Sequence, residues 1–291
     1  MNRKKFFILV AVFFTLGLAT FTAASYFFAM QFISPANCAI GDAPQEFAFP
    51  IKNVSFTTED GLAIRGWYAP DEKTRTAIIL LHGHRGNRWQ MYDTAKMLRR
   101  AGYGVLLYDA RATGESEGKA ISIGYFETKD LIAAVRFLRE QGVERIACLG
   151  QSQGGATILM AAAKLDGVKC VIAQSSYDTI CRAIDRRYRE YLHIPGWLGG
   201  SLMKFFAEQK LGISAEQISP LREIKNLPCP VLIIAGENDT KTWAKDTREL
   251  FEAANAPKDL WMMEGAGHED LYALRPQEYE KRVLEFLKKY L

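Results

Sequence analysis

Ser152 stands at the centre of Gly150-Gln151-Ser152-Gln153-Gly154, directly after the apolar run Ile146-Ala147-Cys148-Leu149. A serine with glycine at both second neighbours, set between a strand and a helix, is the arrangement that exposes a hydroxyl on a tight turn as a nucleophile. The glycines are required because the turn strains the serine backbone, and side chains at those positions would collide where strand and helix nearly touch. So short a pattern recurs by accident, and its surroundings decide what it means. Downstream, Gly155 to Ala163 is a run of small and helix-forming residues, which lets a helix pack close to a sheet. Upstream, Thr76 to Leu81 reads as a fully buried strand that runs into His82-Gly83-His84-Arg85-Gly86-Asn87. A glycine-bearing loop at that strand end is where a second backbone N–H of an oxyanion hole is expected.

A serine hydroxyl attacks only when a base removes its proton, and a histidine held by a carboxylate does this near neutral pH. The chain has four histidines. His82 and His84 belong to the early loop and His193 to a later insertion. His268 follows the last strand in Glu264-Gly265-Ala266-Gly267-His268, and it is the base that the chain order serine, acid, histidine selects. The acid comes from the loop after the preceding strand, Gly236-Glu237-Asn238-Asp239. Asp239 is favoured because the Gly-x-x-Asp turn lifts a carboxylate off the strand end, with Glu237 as the alternative.

The elements that must position these residues follow from periodicity. Val54–Thr58 and Ala63–Tyr68 read as two strands around the turn Glu59-Asp60-Gly61. Buried apolar runs then alternate with helical segments: strands at 77–81, 104–108, 145–149 and 169–173, helices around 89–100 and 124–141 and after Ser152. This alternation means crossover connections and a mostly parallel sheet, an α/β architecture. It pauses over residues 178–227, an aromatic and basic stretch containing Arg182, Arg186, Arg187, Arg189, Tyr188 and Trp197. Inserted between two strands, this stretch overhangs the carboxyl ends where open α/β sheets bind ligands and reads as a helical lid. Ile184, Tyr188, Tyr191 and Leu192 form the stripe expected to face the body, with the arginines in solvent. The alternation resumes with strands at 230–236 and 259–264 and helices at 243–254 and 278–290.

With these motifs in order, the chain resembles the α/β-hydrolase superfamily over approximately residues 50–290, in particular serine hydrolases that pair an HGxxGN loop with GxSxGG. The resemblance implies an α/β-hydrolase fold with a central sheet flanked by helices. It further implies Ser152 as nucleophile, Asp239 and His268 as its triad partners, and the backbone N–H groups of His84 and Gln153 as the oxyanion hole. His82 is then a structural turn residue and Asn87 a helix cap. Asp109-Ala110-Arg111-Ala112-Thr113-Gly114-Glu115-Ser116 is similar to the family's DxRGxGxS loop, with Ala112 where glycine is usual. The activity implied is hydrolysis of carboxylic esters, acyl lipids among them. Peptide or thioester cleavage is an alternative on the same triad, and a catalytically silent membrane-tethered binding protein is the alternative outside enzymology. The mechanism requires no metal or cofactor.

At 291 residues, with 48% of them apolar and a net charge of +4, the chain suits one large domain plus an anchor. No basic block interleaved with aromatics marks a nucleic-acid module. Arg3, Lys4 and Lys5 precede a stretch from Phe6 to Ile33 that holds no charged residue. That stretch exceeds the roughly 20 residues needed to cross a bilayer and the ~7–15 of a cleavable signal. Residues 1–33 therefore read as a transmembrane anchor and 34–50 as a linker. The hydrolase domain is 51–291. Cleavage at Ala23-Ala24-Ser25 is the alternative. Basic residues at the amino end predict a cytoplasmic N-terminus and a catalytic domain on the opposite side. Five scattered cysteines, Cys38 among them, form neither a metal spacing nor a disulfide framework.

Overall fold

Runs of Val, Ile and Leu without alternation can be buried on both faces only where a sheet carries helices on each side. A computed structural model describes residues 3–44, 50–71, 73–193, 195–255 and 257–291 of the chain. Its main sheet contains β1 (Lys52–Thr57), β2 (Ala63–Ala69), β3 (Thr76–Leu81), β4 (Gly104–Tyr108), β5 (Arg145–Gln151), β6 (Val168–Gln174), β7 (Val231–Gly236) and β8 (Lys258–Met263). The spatial order is β8-β7-β6-β5-β3-β4-β2-β1. β1 and β2 form an antiparallel hairpin, β2 runs antiparallel to β4, and every other pair is parallel. The expected α/β architecture with a mostly parallel sheet is what the chain forms.

Among the described residues there are eight longer helices: α1 (Arg3–Ile33), α2 (Tyr92–Arg100), α3 (Glu127–Glu140), α4 (Gln153–Met160), α5 (Ile180–Leu192), α6 (Gly196–Leu211), α7 (Ala244–Ala253) and α8 (Pro276–Tyr290). On one face Leu131, Leu138, Ile158 and Leu250 of α3, α4 and α7 meet Ile79, Cys148 and Ile233. On the other, Leu98, Val283 and Leu287 of α2 and α8 meet Ile78, Leu149 and Ile234. Each such side chain, fully buried, contributes about 1.5–3 kcal/mol relative to exposure. The Asn87 side chain accepts from the Trp89 N–H at 3.0 Å, so a 3-10 turn over Arg88–Met91 precedes α2. In the loop after β4, Ala112 takes φ +58°, the left-handed conformation that glycine would adopt there without cost.

Residues 178–227 form the helical insertion, built on α5 and α6. Ile184 and Tyr188 are buried, as their spacing predicts; the side chains of Tyr191 and Leu192 lie outside the described residues. α6 approaches α5 so closely that a Cβ on Gly199 would strike the Tyr188 ring. Arg186 departs from the expected solvent-facing arrangement, whereas Arg182 is exposed. Arg182 bonds Glu249 at 2.6 Å, and the buried Arg186 pairs with Asp246 while stacking 4.7 Å over Trp243. Asp178, Asp246 and Glu249 cluster closely enough to suggest a cation site. Arg182 and Arg186 already neutralise that cluster, and the network joins the insertion to α7.

α1 is long and apolar enough to cross a membrane. Its last turns do not stand apart from the body: Ser25, Ala29 and Ile33, at i, i+4 and i+8, are 2%, 0% and 2% exposed, and Tyr26 meets Phe206 of α6 edge to face at 5.2 Å. The final carbonyls of a helix have no partner within it. Here the body supplies them. Arg85 Nη1 donates to Gln31 O at 3.0 Å and to Ser34 O at 3.1 Å, His84 Nε2 to Phe32 O at 2.8 Å, and Ile121 N–H to Ile33 O at 2.8 Å. A guanidinium at this end also complements the negative pole of the helix. Beyond it, Ala36–Asn37 pairs in parallel with Thr113–Gly114, and Ile40 and Gly41 N–H donate to Glu115. Asn53 Nδ2 donates to Asp42 Oδ1 at 2.7 Å and Ala43 N–H to Asn53 Oδ1 at 3.2 Å, so the stretch expected to link anchor and domain is hydrogen-bonded to the domain as far as Ala43; residues 45–49 lie outside the described residues.

Burial lowers the His84 pKa to about 4, outweighing the Phe32 hydrogen bond, and the charges of Arg187 and Arg85 push the same way. A lowered histidine pKa means that between 6.5 and about 4 the unfolded chain takes up a proton that the folded chain refuses, so stability is full above this window and falls within it. In His84→Gln, which keeps an N–H donor, denaturant titrations should show a shallower loss of stability across that window than in the wild type. Identical slopes would remove His84 from this account.

Candidate active site

The site lies where the parallel strands end. β3 and β5 are neighbours with Leu81 opposite Gly150, so the loop at 82–87 and the turn at Ser152 leave the sheet side by side. The crossovers from β3 and β5 diverge at this point, which opens a crevice at the carboxyl edge.

Ser152 has φ +53° and ψ −115°, a conformation that costs a non-glycine residue about 1–3 kcal/mol. The surroundings enforce it. Its N–H donates to Gln174 O at 2.8 Å and its carbonyl accepts from Ala156 N–H at 3.0 Å. A Cβ on Gly150 would run into the Gly154 backbone, and one on Gly154 into the Leu81 carbonyl. Serine at the start of a helix ordinarily turns its hydroxyl onto the helix amides. Here it makes no such cap, and Oγ lies 3.2 Å from His268 Nε2.

His268 and Asp239 come from loops that are tied together. β7 and β8 finish level, with Gly236 opposite Met263; Glu237 N–H donates to Met263 O at 3.0 Å and Asn238 N–H to Ala266 O at 2.8 Å. His268 Nδ1 donates to Asp239 Oδ2 at 2.7 Å. With the proton on Nδ1, Nε2 is the lone-pair nitrogen that faces the serine hydroxyl. Asp239 is buried and accepts three further bonds, from Lys241 N–H and Thr242 N–H at 2.8 Å each and from Thr242 Oγ1 at 2.6 Å. Burial alone would raise its pKa. The His268 hydrogen bond and charge, with the Thr242 donors, outweigh that and hold the carboxyl below its ordinary value. Glu237 is exposed and takes no part.

The other candidates sort by position. His82 is buried; its Nε2 accepts from Ala110 N–H at 3.0 Å and its Nδ1 donates to Gly83 O at 2.7 Å. Burial lowers its pKa, and the neutral ring acts as a strut beneath the loop. His193 is exposed beyond the end of α5. His84 turns its imidazole to the Phe32 carbonyl, 2.8 Å away. Gln153 is the first residue of α4, so its N–H has no acceptor within the helix.

Gln90 went unnoticed in the sequence. Its Oε1 accepts from Gly83 N–H at 2.9 Å and its Nε2 donates to Gln151 Oε1 at 3.3 Å, which ties the His84 loop to the serine turn. A lone glutamine past a helix cap carries no signal that would have singled it out. The contacts of Gln31, Phe32 and Ser34 with this loop were equally hidden, because the uncharged run that ends here reads as an anchor without them.

Residues 78–282 match the sequence profile of the alpha/beta hydrolase family. The chain is 30% identical over 231 residues to the uncharacterized protein YqkD of Bacillus subtilis strain 168, covering 78% of this chain and 76% of that one. It is 27% identical over 297 residues to the uncharacterized protein YfhR of Escherichia coli K12, covering 98% and 94%. Among solved structures it is similar to the esterase PF2001 of Pyrococcus furiosus, with a TM-score of 0.76 and 28% identity over 89% of this chain and 98% of that one. The matched segment takes in the strands from β3 to β8 and every loop that meets at Ser152, and the chain belongs to the alpha/beta hydrolase family.

Proposed function

We propose that the chain is a serine hydrolase that cleaves carboxylic esters through an acyl-enzyme. The observation that carries this reading is the hydrogen-bonded run from Ser152 Oγ through His268 to the buried Asp239. Likeness to an esterase structure supports the substrate class.

In this reading His268 Nε2 takes the hydroxyl proton as Ser152 Oγ bonds to the ester carbonyl carbon, and Asp239 stabilises the imidazolium so formed. The His84 and Gln153 N–H groups, one on each side of the crevice, donate to the tetrahedral oxyanion. His268 returns the proton to the departing alcohol, and water repeats the sequence on the acyl-enzyme. Both oxyanion donors are main-chain groups, so changing their side chains leaves the donors in place.

α1 is in this reading a retained single-pass anchor with its basic end in the cytoplasm and the hydrolase domain on the far side. Its capping by the body gives the last turns a structural role that a discarded leader would lack. Alkaline carbonate should leave the full chain in the membrane pellet; release as a shortened soluble protein would overturn retention.

Ser152→Ala should abolish turnover of p-nitrophenyl acetate and labelling by a fluorophosphonate probe, and undiminished labelling would rule the serine out. Asp239→Asn retains the geometry but favours the wrong histidine tautomer. It should lower kcat by about 10⁴-fold, and a change of less than tenfold would exclude Asp239 as the acid.

A further inference from the structure

We infer that the end of α1 is one wall of an acyl-chain subsite, and that the ester hydrolysed is a single-chain amphiphile taken from the bilayer surface; this rests on the serine-esterase reading above. A cavity of about 380 Å³ lies between the last turns of α1, the two insertion helices and the His84 loop. Its apolar wall is Phe28 and Phe32 of α1, Tyr188 of α5 and Met203 of α6. That size falls in the range of small-molecule sites. Arg85 and Arg187 supply the charges on the wall, so the cavity is an apolar slot with cations on its lining rather than a sealed core.

Neither Ser152 nor His268 lines the cavity. The connection is the loop: His84 lines it, and a Cβ on the preceding Gly83 would sit 3.5 Å from Ser152 Cβ. The slot and Ser152 therefore adjoin the same loop, the one that carries the His84 N–H. Hydrocarbon fits the part of the wall made by Phe28, Phe32 and Met203, where a polar group would stay unpaired, while Gln31, Arg85 and Arg187 make the rest of the lining polar.

The bilayer source follows from where α1 changes character. From Phe6 to Leu18 its large side chains are exposed, and from Ser25 onward one face is buried against the body. The uncharged stretch from Phe6 to Ala24 is about 28 Å long at 1.5 Å per residue, close to a hydrocarbon core of about 30 Å. The cavity begins one turn later, at the level where the helix leaves the lipid. On α6, packed against that part of α1, Trp197, Leu198 and Phe205 are 69%, 47% and 50% exposed. This apolar face continues the surface of the spanning helix, and tryptophan at its edge suits the interfacial zone.

The test uses the full chain in detergent micelles, with p-nitrophenyl acetate and laurate as paired substrates and a dansyl fatty acid as a binding probe on Ser152→Ala. Met203→Trp fills the slot and should lower the laurate-to-acetate ratio of kcat/KM about tenfold or more, and it should abolish dansyl fluorescence enhancement in the Ser152→Ala background. Phe28→Asp, at a side chain already 46% exposed and so tolerated by the fold, should shift both readouts in the same direction. Ester turnover that depends on Ser152, with ratio and dansyl binding unmoved by either variant, would overturn the subsite and leave the hydrolase reading intact. Dansyl binding that responds to both variants, with no turnover of either ester, would uphold the slot and overturn the hydrolase reading.

Discussion

The close approach of β3, β5 and α4 governs the rest of the site. Where these three backbones meet there is no room for a Cβ at Gly150 or Gly154, and the chain turns between them only by giving Ser152 a positive φ. Strain of this kind survives when the neighbourhood over-determines it. The apolar contacts of both faces supply the surplus, and the hydroxyl is left pointing away from its own helix toward His268.

The acid and the imidazole rest on a second, gentler constraint. β7 and β8 end at the same level, and main-chain bonds between their loops fix the separation of Asp239 and His268 before either side chain is considered. Three donors besides the imidazole converge on the buried carboxylate. Burying a charge is costly unless it is so satisfied, and the same donors leave the carboxylate few orientations. The ring inherits its tautomer and its aim.

Much of this was legible in the sequence because it repeats or is ordered. Apolar runs alternating with helical segments disclosed the sheet, and the glycines around Ser152, with one acidic and one histidine loop in sequence after it, singled out three side chains that are indeed hydrogen-bonded in series. The Ala112 turn was flagged by its missing glycine and keeps the glycine-like conformation. What stayed hidden has no period. Gln90 joins two loops through contacts that depend on side-chain length and direction. Arg186 sits on a helix whose apolar stripe suggested that it faces water, whereas Asp246 on α7, distant in sequence, holds it at the body. The capped end of α1 was concealed for a different reason: the long uncharged run accounted for the helix as a whole and left nothing to suggest a second task.

That capped end makes α1 a stiff stalk in place of a leash. Gln31, Phe32, Ile33 and Ser34 are hydrogen-bonded to the body, and Arg85 and His84, two of the groups that bond them, lie in the loop bordering Ser152. Helix and crevice therefore turn as one piece. If α1 spans a bilayer, as proposed above, a mismatch in thickness would tilt the helix and incline the whole rim of the crevice by the same angle. On that reading lipid thickness would set which way the crevice faces.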